Sequence, residues 1–176
     1  MNRSGIISVL LTSGAMLVLV WVSGTLPSVI IFIPLLFISL LISLWKTDFP
    51  PKDPTLTLYL LAIGLQLLHF AEEFNTDFVV RLPALINNPP YPIRNWVIFN
   101  LAADAIFILG AVALHKQIKA LMFITYFFVL AAVALNSVAH ILLSVYVGGY
   151  FPGLITAIAY LPLAFMLLPK MLDLNR

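Results

Sequence analysis

The chain contains no cysteine, and only 9% of its 176 residues are Asp, Glu, Lys or Arg. Without thiols there are no disulfides, no thiolate metal sites, no iron–sulfur clusters and no cysteine nucleophile. Any metal must therefore be held by His, Asp, Glu or Asn. Soluble domains average about 25% charged residues, whereas this chain is 62% hydrophobic with a mean hydropathy of +1.10. That combination excludes a water-soluble fold and points to an all-α, polytopic transmembrane helical bundle. The connections between apolar runs are too short to hold a second core, so residues 1–176 are expected to form a single domain. Internal repeats, low-complexity tracts and nucleotide-binding glycine patterns are also absent.

About 20 apolar residues are needed to cross the hydrocarbon layer. Six runs qualify: Gly5 to Val22, Pro27 to Trp45, Thr55 to Phe74, Asn95 to Leu114, Lys119 to Val145, and Gly153 to Leu168. The first run is longer than a signal-peptide core and is followed at once by another span, so it is expected to stay as a helix. Gly24-Thr25-Leu26-Pro27 reads as a tight turn, and Lys46 to Pro54 carries three prolines in nine residues, which a helix does not cross. Asn75 to Arg94 is the one long connection. Its Asn87-Asn88-Pro89-Pro90-Tyr91-Pro92 segment must be non-helical, because each proline restricts itself and the residue before it. A loop of this length is either a lid or binding element or a simple surface connection.

Lysine and arginine favour the cytoplasmic side. With the N-terminus inside, Arg3, Lys46, Lys52, Lys116, Lys119, Lys170 and Arg176 are cytoplasmic, and Arg81 and Arg94 lie outside. Both termini are therefore expected in the cytoplasm. The net charge of +2 reflects this bias and implies no nucleic-acid partner.

Against this apolar background, ionisable residues inside the spans stand out, since each is costly at membrane depth and defaults to a functional reading. His69, Glu72 and Glu73 end the third run. On a helix Glu72 lies about 60° to one side of His69 and Glu73 about 40° to the other. Asn136 and His140 share a face of the fifth run, and Asn100 and Asp104 share a face of the fourth. At 1.5 Å per residue all three groups fall in the outer half of the bilayer. Faces of this kind should point into the bundle and satisfy one another.

Two imidazoles with several carboxylates suit zinc, iron or manganese, and the absence of sulfur argues against copper(I). The candidate metal ligands are His69, Glu72, Glu73, His140 and Asp104. Of these, His69, His140 and Glu72 are the first choices, Glu73 doubles as a candidate general base, and Asp104 is placed to steady a ligand histidine from behind. Asn100 and Asn136 are candidates for orienting water or substrate in catalysis. A metal-free network, with each histidine capped by an asparagine or an acid, uses the same residues. His-x-x-Glu-Glu is not a zincin His-Glu-x-x-His motif. His115 reads as a helix-end residue favourably placed against the dipole, Gln66 as a helix-bridging residue or a ligand orienter, and Ser39, Ser43, Ser137 and Ser144 as hydroxyls bonded back to their own helix.

His69-Phe70-Ala71-Glu72-Glu73, Asn100, Asn136-Ser137-Val138-Ala139-His140 and Tyr150-Phe151-Pro152-Gly153 together closely resemble the HXXEE family of small bacterial membrane proteins. The resemblance runs from the third span to the chain end, about two-thirds of the chain, and the combination is far more specific than any single motif. It implies a multi-pass protein of the bacterial plasma membrane and a set of important positions, but no reaction, the family's function being unknown. It adds Tyr150, Pro152 and Gly153 as an outer turn that either roofs the polar layer or simply starts the last helix.

The leading expectation is a metal-dependent integral-membrane enzyme, a hydrolase for a lipid or other amphiphile reached from the surrounding bilayer, with metal-activated water as nucleophile. A proton-coupled transporter or relay is the first alternative, but the cytoplasmic halves of the spans offer it almost no polar lining. A non-catalytic membrane scaffold is the second.

Overall fold

The computed structural model describes residues 3–23, 26–46 and 48–172, and no side chain is described at 19–29 or at Lys52. Among the described residues every regular element is helical. Six long helices are present: α1 (Arg3–Ser23), α2 (Leu26–Trp45), α3 (Lys52–Asn75), α5 (Ile93–Lys116), α6 (Lys119–Val147) and α7 (Leu154–Leu172). A short α4 (Phe78–Ala84) lies between α3 and α5. Helices α3 (from Asp53), α5, α6 and α7 are long and apolar enough to cross a membrane, while the described apolar stretches of α1 and α2, Arg3–Val18 and Ile30–Trp45, are shorter. The turn expected at Gly24-Thr25 lies outside the described residues, and Leu26 and Pro27 open α2.

Helix α3 packs against α5 and α7, and α6 packs against α2, α5 and α7, so α3, α6 and α7 surround one interior. That interior is filled by Tyr59, Phe107, Tyr126, Phe128, Val133, Tyr160 and Leu167, all buried. Close approach of α3 and α5 depends on Gly110. The Tyr59 hydroxyl occupies the space that a Cβ there would need and donates to the Phe107 carbonyl at 3.1 Å. Small residues at helix crossings serve this purpose in membrane bundles.

Two local features shape the site end of the bundle. Helix α6 is not uniform: a 3-10 turn at Lys119–Leu121 leads into α-helix, and Phe128–Leu135 is wound as a π-helix immediately before Asn136. The wider winding changes the phase of everything after it, and such segments concentrate at functional sites. After it, Ser137, His140 and Ser144 are buried on the inward face.

The connection from Asn75 to Arg94 is not wholly irregular. Its first half forms α4, which contains Pro83. A proline there leaves the carbonyl four residues earlier without its helical donor. The Tyr91 N–H supplies the missing bond to Val79 O at 2.9 Å. That contact folds the non-helical, proline-rich segment back over α4 and closes the connection on itself.

The start of α1, the end of α2, the start of α6 and the end of α7 gather at one end of the bundle. Lys46 Nζ donates to Leu172 O, Lys119 Nζ to Lys46 O, and Ser8 Oγ lies 3.0 Å from Ala120 O. Among the described residues, Arg3, Lys46, Lys52, Lys116, Lys119 and Lys170 belong to chain segments at this end. The histidine–glutamate residues lie at the other.

Candidate metal centre

His69, Glu73 and His140 are 1%, 6% and 2% exposed, respectively. Each offers one ligand atom, and these atoms lie within 4.8 Å of one another, the group of this kind found among the described residues. Glu73 Oε1 is 3.4 Å from His69 Nε2 and 3.2 Å from His140 Nε2. One turn of α3 separates His69 from Glu73, so both side chains leave the same face. His140 reaches them from α6, its ring edge-on to that of His69 with centroids 4.6 Å apart.

The hydrogen bonds assign the tautomers. His140 Nδ1 lies 2.5 Å from Pro152 O. A carbonyl only accepts, so Nδ1 carries a proton and donates it there, which leaves Nε2 facing Glu73. His69 Nδ1 lies 2.7 Å from Thr156 Oγ1, and that hydroxyl donates its own proton to Glu72 Oε2 at 2.5 Å. His69 Nδ1 must then be the donor as well. Both imidazoles turn Nε2 inward, while a carbonyl and a hydroxyl hold them from behind. This is how metal-ligating histidines are commonly oriented.

Glu72 does something else. Its Oε1 accepts from the Tyr150 hydroxyl at 2.8 Å and from the Ile155 N–H at 3.0 Å, and its Oε2 from the Thr156 N–H at 2.9 Å and the Thr156 hydroxyl. Ile155 and Thr156 are in the first turn of α7, whose N–H groups have no partner within the helix. A carboxylate there satisfies them and complements the positive end of the dipole. Glu72, expected among the ligands, is thus a cap supplied by α3 to α7, with its accepting positions filled. Burial and the bond to this carboxylate push the Tyr150 phenol above its ordinary pKa, so it stays a donor at neutral pH.

Gly153 lets the α7 turn sit against the two rings. A Cβ at this position would lie 2.5 Å from His140 Nδ1 and 2.7 Å from His69 Cε1, and the backbone φ is +86°. Both facts demand glycine. Arg81 on α4 donates to Tyr150 O at 2.9 Å and stands over the Phe151 ring. The turn therefore roofs the polar layer.

The remaining sequence candidates divide. Asn136 Nδ2 lies 2.8 Å from His69 Nε2 and joins the cluster. Asn100 Nδ2 donates back to Trp96 O on its own helix at 2.9 Å and does not join it. Asp104 is buried with Oδ2 lacking a hydrogen-bond partner. It lies outside the ligand group but close enough to act electrostatically on Tyr160, as Glu73 also does. Gln66 bridges helices, accepting from the Tyr160 hydroxyl at 2.8 Å. Of the serines, Ser39 and Ser137 bond back to their own helix, Ser144 accepts from the Phe151 N–H, and Ser43 Oγ has no partner.

A family model described as protein of unknown function with HXXEE motif matches residues 60–167, well over half of the chain. The chain belongs to the HXXEE family. No curated protein and no solved structure matches it. The family's naming motif is His69-Phe70-Ala71-Glu72-Glu73, and the geometry separates the work of its two acids: Glu73 faces the histidines and Glu72 fastens α7. Thr156, which ties Glu72 to His69, carries no recognisable signal in the sequence. The nearest hint is its place in the first helical turn after Gly153.

Proposed function

We propose that this HXXEE protein is a metal-dependent integral-membrane enzyme, a hydrolase acting on a lipid or other amphiphile. One observation carries the reading: two imidazole Nε2 atoms converge on a single carboxylate oxygen, with each ring's Nδ1 engaged behind it. Two ring nitrogens and a carboxylate oxygen buried this close together need a cation or a proton between them.

The donor set fits a divalent metal. Bonds of about 2.0–2.1 Å in tetrahedral geometry would keep ligand atoms about 3.3 Å apart; Glu73 Oε1 lies 3.2 and 3.4 Å from the two ring nitrogens, and all three ligand atoms lie within 4.8 Å of one another. Two histidines and one carboxylate leave a coordination position open, as catalytic zinc and non-haem iron sites do. His69, His140 and Glu73 would hold zinc, iron or manganese. The metal would supply acidified water and an electrophile for a carbonyl or phosphoryl oxygen. Asn136, beside His69 Nε2, is placed to orient that water or the substrate, and Glu72, through Thr156, keeps His69 turned inward. No separate general base is assigned, because Glu73 serves as ligand.

An amphiphilic substrate is supported by the aromatic side of the site. Phe78 lies 5.5 Å from the His140 ring, and Trp96 contacts Phe70, Phe74 and Phe78. Phe74 is half exposed on the apolar surface. This cluster connects the membrane-facing surface to the histidines. Comparing lipid extracts of cells that make the wild-type protein or His140→Ala tests the reading. Accumulation of one lipid class in the variant supports it, and identical profiles count against it.

A second reading has its own observation. Asn136 Nδ2 donates to His69 Nε2, which satisfies that lone pair without a metal. His140 Nε2 stands 3.2 Å from Glu73 Oε1, within reach of a direct hydrogen bond, and the closed network then fastens α3, α6 and α7. Elemental analysis of the purified protein separates the two.

A further inference from the structure

At the opposite end of the bundle a small cavity opens between α1, α2 and the start of α6. It is lined by Ser4, Gly5, Ser8, Ser43, Leu44 and Lys119. We propose that it binds a phosphate group, either that of an anionic phospholipid headgroup or free inorganic phosphate. This site is independent of the histidine–glutamate centre.

Three observations carry the proposal. Ser43 is 99% buried and its Oγ has no hydrogen-bond partner, although it lines the cavity. One turn earlier on the same helix, Ser39 bonds back to Leu35 O at 2.7 Å. Serines in membrane helices ordinarily do the same; the hydroxyl of Ser43, like those of Thr12 and Thr55, does not, and of these three it is the one that lines the cavity. Native structures leave few such groups unsatisfied.

Lys119 supplies the charge. Its ammonium donates to Lys46 O and stands 5.7 Å from the Phe49 ring. Of its three protons, two remain for a ligand. Asp48 acts electrostatically on the same ammonium, but among the described residues no acidic one lines the cavity itself. The first turn of α1, a helix of 21 residues, forms another wall and brings the positive end of its dipole.

Position selects the ligand class. The cavity lies at the end of the bundle that gathers most of the basic residues. Basic pockets between transmembrane helices at a membrane surface take lipid phosphates. A hydroxyl, an ammonium and a helix N-terminus form a donor set suited to phosphate oxygens, and the lining residues include no carboxylate to balance a cation.

Native mass spectrometry of the full chain released from detergent, after incubation with phosphatidylglycerol or phosphatidylcholine, tests the proposal. Wild-type protein should retain phosphatidylglycerol preferentially. Lys119→Gln should reduce retention about tenfold, the worth of one charge-assisted hydrogen bond, Ser43→Ala should reduce it less, and Lys119→Arg should restore most of it. Competition by millimolar inorganic phosphate would identify the free ion as the occupant, and lack of competition the headgroup. Lys116→Gln serves as the control, since this exposed lysine does not line the cavity. Equal retention by wild type and Lys119→Gln overturns the proposal, as does an equal loss in Lys116→Gln. Helix content by circular dichroism confirms that each variant is folded.

Discussion

His140 Nδ1 donates to the Pro152 carbonyl at 2.5 Å, and this bond aims the opposite ring nitrogen at Glu73. A loop carbonyl thus orients a side chain twelve residues earlier in the chain. The turn that provides it can approach only because Gly153 has no side chain.

Gly153→Ala should therefore be damaging. The added methyl meets both imidazoles and the positive φ is lost to strain, so a loss of at least about 2 kcal/mol is expected. Gly149→Ala, where nothing lies within 4 Å, should be nearly neutral. Thermal unfolding of the two variants in detergent checks the contrast. Equal melting temperatures would mean that the turn does not press on the rings.

The two acids of the motif should dissociate experimentally. Glu72→Gln removes charge-assisted bonds to the first turn of α7 and is expected to cost about 1.5–3 kcal/mol of stability while bound metal remains measurable. Glu73→Gln should abolish metal binding with a smaller effect on the metal-free protein. Parallel unfolding and metal titration distinguish these outcomes. The reverse pattern would exchange the roles assigned to them.

Thr156 is a positioning residue, since it touches His69 and Glu72 but not the converging ligand atoms. Thr156→Val should weaken metal binding about 10- to 100-fold, the usual cost of losing a partner behind a ligand. Thr156→Ser keeps the hydroxyl and should restore it. Metal affinity by competition with a chromophoric chelator is the measurement, and failure of the serine variant to recover would point to lost packing instead.

Asn136→Ala tests the competing network. If no metal is bound, removing the amide leaves His69 Nε2 buried without a donor and should cost about 1–3 kcal/mol. With metal on that nitrogen, metal content and most of the stability survive, and only turnover falls.

The helices were legible because apolar runs bounded by proline and charge leave few alternatives. The run read as Thr55 to Phe74 becomes Lys52–Asn75, and Asn95 to Leu114 becomes Ile93–Lys116. Charge also showed that His69, Glu73, Asn136 and His140 share a depth. Helix α4 was hidden because Pro83, Pro89, Pro90 and Pro92 read as loop. Only the tertiary bond from Tyr91 to Val79 O replaces the helical bond that Pro83 lacks. Glu72 was misplaced for a similar reason. A helical wheel sets both acids beside His69, and only the docking of α7 decides which one meets a helix N-terminus. Asp104 shared the depth but lies outside the ligand group, acting on Tyr160 only electrostatically.

Metal content of the wild-type protein, purified without chelators and measured by inductively coupled plasma mass spectrometry, addresses the proposed centre most directly. A stoichiometric divalent metal, lost in both His69→Ala and His140→Ala, is the expected result. A metal-free wild type, or metal retained in both variants, would contradict the centre and leave the histidine–glutamate cluster as a fastening between helices.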